Sequence, residues 1–247
     1  MNYRSRHFPW CLLSSLASMK LLLFRKDDPT SALIGWCVAL GGTTALDTLG
    51  SQAFTGATRK TDLGIHFQRC VLLLWILLIP VSILWAFMEP ILLALGQPPL
   101  LAFRVQRFLR VLIVGAPGYV GFESMKKYLQ CQGMIWAAAS HMLCSSTALG
   151  IMGASTTILA VVSPINIGLN IVLIHYTSLG LLGSPLAVSI TYWLCFAFLA
   201  IYTYFSPIHR ENRTWGGIQL RTVLEFKSCY EFLRLALPGI LMIGTEW

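Results

Sequence analysis

Apolar residues run along this chain in long blocks, without the short alternations of soluble elements, and each block predicts a helix that crosses a membrane. Five stand out, at 31–57, 70–95, 108–130, 156–176 and 183–205. Each has roughly 20 to 27 residues, enough to span about 30 Å of hydrocarbon at about 1.5 Å per residue. A sixth begins near Phe232 and has only about 15 residues before Trp247, short of a crossing. Short segments of strict alternation, the mark of a membrane barrel, are not seen. The pattern therefore predicts an all-α integral membrane protein with about five transmembrane helices and the start of a sixth.

The polar positions inside these blocks carry the functional signal. From Tyr128 to His209 there is no Asp, Glu, Lys or Arg, yet Pro164, Asn166, Asn170, Pro185 and several glycines interrupt the run. Polar groups in hydrocarbon are costly and tend to mark function. Asn166 and Asn170 are four apart, so they stack on one side of a helix, just past a proline whose missing N–H frees a carbonyl. They form either a polar pocket at depth or a hydrogen-bonding contact between helices. Farther upstream, Thr44, Asp47, Thr48, Ser51 and Gln52 share one helical face, and a polar face on an apolar helix predicts a cavity lining.

Of ten carboxylates, Asp47, Glu89, Glu123 and Glu246 lie inside or at the edge of apolar runs. Burying a charge there costs at least about 2.5 kcal/mol, so such a group favours its neutral form and can trade a proton against a cation. This is the chemistry of a coupled antiporter. Glu89, beside Pro90 near a span end, and Glu123, about one turn before Lys126 and Lys127, fit interfacial partners better.

Composition narrows the class further. With 56% hydrophobic and 11% charged residues, the 247-residue chain has too little polar surface to wrap a soluble core. The net charge of +8 is explained by topology without nucleic acid, since the cations sit between apolar runs with no aromatic platform among them. Arg59, Lys60, Arg69, Lys126, Lys127, Arg210, Arg213, Arg221, Lys227 and Arg234 fall in alternate loops and predict the cytoplasmic side; Arg104, Arg107 and Arg110 fall opposite. The sequon Asn212-Arg213-Thr214 then faces the cytoplasm and carries no glycan. Seven cysteines without a CxxC pair read as small hydrophobes, which leaves no metal site and no cofactor. No HExxH, GxSxG or P-loop motif supports an enzyme.

Two regions break the pattern. Residues 1–30 hold Arg4, Arg6, Lys20, Arg25 and Lys26 around the apolar stretch Phe8 to Phe24, which is either a poor first span or an untidy leader, the leader being preferred. Residues 140–157 form a Ser-, Thr- and Gly-rich tract of moderate hydrophobicity. A further span there would place the Arg-rich last loop outside, so an insertion or re-entrant segment is preferred.

Read in order, the motifs resemble the multidrug and toxic compound extrusion (MATE) family of secondary transporters, in its eukaryotic and perhaps fungal branch. The carriers are Ala45-Leu46-Asp47-Thr48-Leu49 with Ser51-Gln52-Ala53-Phe54, Gln68-Arg69-Cys70, Glu89-Pro90, Pro117-Gly118-Tyr119, Tyr128-Leu129-Gln130, Pro164-Ile165-Asn166 with Asn170, Pro185-Leu186-Ala187, and Pro238-Gly239-Ile240 ending in Glu246-Trp247. The resemblance covers residues 35–247, and it implies that 31–247 is a partial N-terminal lobe of a twelve-helix transporter, its second to sixth helices and the start of the seventh. It implies exchange of organic cations or xenobiotics for a coupling ion, a proton with sodium as the alternative. By the same resemblance Glu246 matches a seventh-helix glutamate for proton and substrate coupling, Asn166 and Asn170 line the first-lobe cavity, Asp47 and Gln52 lie on the second helix, and Pro164 bends the fifth. The implied partners are the lipid bilayer and small organic substrates in a plasma or vacuolar membrane. The unrecognisable first helix, the 140–157 tract and the absent second lobe suggest a truncated or mis-spliced reading frame. The alternative function is a non-transporting membrane fragment that associates with intact transporters, the one case that calls for a partner chain.

Overall fold

The computed structural model describes residues 30–56, 61–139, 145–177, 180–206 and 214–246, with backbone alone at 30–36, 55, 133–139, 145–154, 181, 220 and 246. The expectations for residues 1–29 and for 140–144 lie outside the described residues. The elements run α1 Thr30–Gly56, α2 Asp62–Ala86, α3 Met88–Ala94, α4 Pro99–Ala139, α5 Ser145–Ile171, a π-helical turn Val172–Tyr176, a 3₁₀ turn Gly180–Leu182, α6 Gly183–Phe205, α7 Leu220–Val223 and α8 Phe226–Glu246. No strand occurs among the described residues.

Local chemistry sets the element ends. Asp62 opens α2, where a carboxylate complements the positive helix terminus. The chain then breaks at Phe87, which carries φ −112° and ψ 33°, before the short α3. Gly96, at φ 79°, ends α3 in a left-handed turn: Gln97 N donates to Leu92 O at 3.0 Å and Gly96 N to Leu93 O at 3.0 Å, the paired bonds of a Schellman stop. Pro99 opens α4, where a missing N–H costs nothing. At 41 residues α4 is about 60 Å long by its rise per residue, about twice the hydrocarbon thickness, so it extends well beyond the span expected at 108–130. From Ser145 the Ser-, Thr- and Gly-rich tract is helical and continues into the rest of α5.

Among the described residues, three helices, Asp62–Ala86, Ser155–Tyr176 and Gly183–Phe205, are long and apolar enough to cross a membrane. Together they make this a multi-pass membrane protein, and their outward faces carry large apolar side chains such as Ile76, Ile79, Ile83, Val161, Ile167 and Ile201.

Close backbone approach organises the bundle. Gly115, Gly118 and Gly121 recur every third residue on α4 and lie against Ser189, Trp193 and Phe196 of α6; a Cβ at Gly115 would sit 2.7 Å from Ser189 Cα. At that distance α6 side chains reach α4 carbonyls: Trp193 Nε1 donates to Val114 O at 2.9 Å and Ser189 Oγ lies 3.3 Å from Val111 O. A second crossing joins α1 to α8, where a Cβ on Gly41 would fall on the Ile240 backbone and one on Gly239 would meet Thr44. Between them, α1, α2 and α4 enclose a core of Leu46, Leu63, Leu74, Leu109 and Tyr128, each at most 1% exposed.

Candidate functional site

α5 and α6 bring together the first polar group. Asn166 is 2% exposed, and its Nδ2 donates to Thr191 Oγ1 at 2.8 Å across the α5–α6 contact. Thr191 passes its own proton back to Ala187 O at 2.8 Å. One turn on, Asn170 Nδ2 donates to Asn166 O at 2.9 Å and Asn166 Oδ1 at 3.1 Å. Asn170 Oδ1 is buried and accepts no hydrogen bond from any described residue. A buried acceptor left open in this way costs about 1–3 kcal/mol, so it is a place where a donor on a ligand gains binding energy.

The backbone beside it is irregular. Pro164 lies two residues before Asn166, and the helix passes into the π-helical turn directly after Ile171. Such turns break the regular ladder and leave carbonyls for other donors; Thr177 Oγ1 takes one, Leu173 O, at 2.5 Å. Thr191 escaped the sequence reading because it is a lone hydroxyl in an apolar run; its i, i+4 spacing with Ala187 gives no signal until α5 is packed on it.

Asp47 belongs to a second, separate site. Lys127 Nζ on α4 lies 2.6 Å from Asp47 Oδ2, with the two side chains 25% and 40% exposed. Nearby Glu123, with a side chain 3% exposed, is paired with Lys126 Nζ at 2.5 Å one turn along α4. The hydroxyls that share a face with Asp47 turn back on their own helix: Thr44 Oγ1 to Gly41 O at 2.6 Å, Thr48 Oγ1 to Thr44 O at 3.3 Å and Ser51 Oγ to Thr48 O at 2.9 Å. Such back-bonding satisfies each hydroxyl within an apolar helix. Gln52 is exposed at the end of that face. Glu246 ends α8, about two turns past the Gly239 crossing, and its side chain lies outside the described residues.

A small cavity between Leu78, Trp85, Leu112, Tyr119, Val120 and Tyr192 is almost wholly apolar and has room for about one water. Among the described residues no cluster of three or more metal-ligating side chains occurs.

Comparison with known proteins agrees with this arrangement of helices. The MatE family's sequence profile matches residues 28–156. An uncharacterised transporter of Schizosaccharomyces pombe is 36% identical over 222 residues, covering 88% of this chain and 37% of its own length. Multidrug and toxin extrusion protein 1 of Danio rerio is 32% identical over 213 residues, covering 86% of this chain and 32% of its own. The crystal structure of the eukaryotic MATE transporter AtDTX14 superposes with a TM-score of 0.73 at 26% identity, over 96% of this chain and 50% of that one. The chain thus spans about two-fifths or less of these curated relatives and half of the solved transporter.

Proposed function

Because this chain belongs to the MatE family, we propose that it supplies the first lobe of a secondary transporter that exports organic cations or xenobiotics in exchange for protons. The observation that carries the reading is the Asn166, Asn170 and Thr191 group, with a buried carbonyl oxygen on Asn170 that accepts no hydrogen bond from any described residue. Set at a helix break inside an apolar bundle, it offers the negative end of an amide dipole to a cationic substrate. Glu246 is the proton-carrying group in this reading: a carboxyl that follows the uncharged stretch 235–244 of α8, neutral when protonated and attracting a cation when it is not. Asp47, through its pair with Lys127, and Gln52 give α1 a separate polar group for substrate or proton in this reading.

The test is uptake of a quaternary ammonium probe, tetraethylammonium, into proteoliposomes under an imposed pH gradient. The protein used is this chain joined to the remaining length of its Schizosaccharomyces pombe relative, with the chain as written alongside. Gradient-driven uptake by the joined protein that weakens in Asn170→Ala supports the reading; gradient-independent leakage in both rejects it. A second reading is a membrane protein that binds intact relatives without transport. Co-purification of the chain with an intact relative, with no uptake by any form, would select it.

A further inference from the structure

Arg69 lies near the start of α2 and is 3% exposed, yet among the described residues its guanidinium meets no carboxylate. Its Nε donates to Val223 O at 3.1 Å and its Nη2 to Thr222 O at 2.8 Å, while Nη1 lies 3.3 Å from His66 Nδ1. Thr222 and Val223 are the last residues of α7, so the cation occupies the end of a helix where carbonyls lack intrahelical donors. A buried cation satisfied by backbone acceptors recognises the path of the chain and not its side chains.

The neighbouring residues fasten the same segment. Gln68 Nε2 donates to Gly217 O at 2.8 Å and its Oε1 accepts from Gln219 N at 3.2 Å, which grips the turn that Gly217 makes at φ 84°. Thr214 is fully buried and shares a 2.8 Å hydrogen bond with Tyr128 OH on α4. The Phe67 ring lies 5.0 Å from Tyr128 and 6.4 Å from Trp215, and a Cβ on Gly64 would come 2.6 Å from Thr214 O. At the start of α8, Cys229 Sγ donates to Val223 O at 3.2 Å, so the capped carbonyl is also the base of that helix. α8 itself packs chiefly on α1 and hardly touches α2.

We propose that residues 214–223 form a strap that clamps the base of α8 to α2 and α4, with Arg69 as the residue that fastens it. The strap is a docked element with its own seat. α8 is therefore held at two places, the Gly41–Gly239 crossing on α1 and the strap on α2, and rearranging α8 against the bundle requires one of them to release.

Trypsin reports the strap directly, because Arg221 is exposed on α7 and its peptide bond can be cut only when the segment opens. The full chain in detergent micelles should resist cleavage after Arg221, and Arg69→Gln with Gln68→Ala should speed it by about tenfold or more. Cleavage after Arg104 and Arg107, exposed on α4, should stay at the wild-type rate and so separates strap release from unfolding. Gly217→Val strains the turn from the strap side without altering α2 and should give the same result. An unchanged rate at Arg221 in both variants, or a rise only in step with Arg104 and Arg107, would overturn the proposal.

Discussion

Lys127 Nζ lies 2.6 Å from Asp47 Oδ2, an ion pair that ties α4 to α1 across 80 residues of chain. Both side chains are partly exposed, so the pair contributes at most about 1 kcal/mol on its own. The orientation it imposes on α1 matters more, because the same helix carries Thr44 into the α8 crossing. Asp47→Lys and Lys127→Asp should each lower the thermal midpoint in detergent, and the double exchange should recover most of it. A double variant no better than the worse single one would show that Asp47 acts through a partner other than Lys127.

The two asparagines should separate by function. Asn166 spends its amide on Thr191 across a helix interface, so Asn166→Ala should destabilise the protein by about 1 kcal/mol, in the range of hydrogen bonds between membrane helices. Asn170 bonds only within its own helix turn among the bonds it donates, so Asn170→Ala should leave the thermal midpoint nearly unchanged and weaken probe binding. Differential scanning fluorimetry and equilibrium binding of the tetraethylammonium probe read the two effects. Equal loss of stability in both variants would make the pair a packing contact.

Much of this fold was legible in the sequence, and what was not has a physical reason. Uniformly apolar runs place helices well: the span expected at 183–205 coincides with α6, and the 156–176 run with the second part of α5 and its π-helical turn. Runs do not reveal where a helix continues into polar residues, which is why α2 begins at Asp62 and includes Arg69, counted as a loop cation. Charge counting cannot tell a solvated arginine from one buried on backbone carbonyls, since both look alike in a list of positives. The polar face at Thr44 to Ser51 was visible, but its hydroxyls turning back on their own carbonyls was not. Thr191 and Lys127 acquire meaning only when a helix distant in sequence is packed against them.

Glycine positions give a contrast that side chains cannot. Gly115→Ala places a methyl 2.7 Å from Ser189 Cα, a backbone atom that cannot step aside, and should cost about 1–3 kcal/mol as overpacking. Gly168→Ala, on α5 with open space around it, should be neutral or stabilise by up to about 1 kcal/mol through helix propensity. Thermal midpoints in the same detergent decide the matter, and a reversed order would contradict the α4–α6 contact.

The sequon ending at Thr214 should remain unmodified. Thr214 is fully buried and bonded to Tyr128, and the strap that carries it lies on the side the positive charges assign to the cytoplasm. Expression in glycosylating cells should give no shift in gel mobility on endoglycosidase treatment. A shift would reverse the assigned topology.

Coupling through Glu246 is the centre of the functional account, and gradient-driven transport measures it most directly. Proteoliposomes holding the joined protein should accumulate tetraethylammonium against its gradient when the lumen is acidic. Glu246→Gln should abolish that accumulation while leaving probe binding in detergent measurable. Accumulation that persists in Glu246→Gln at the wild-type rate and still follows the pH gradient would contradict the account.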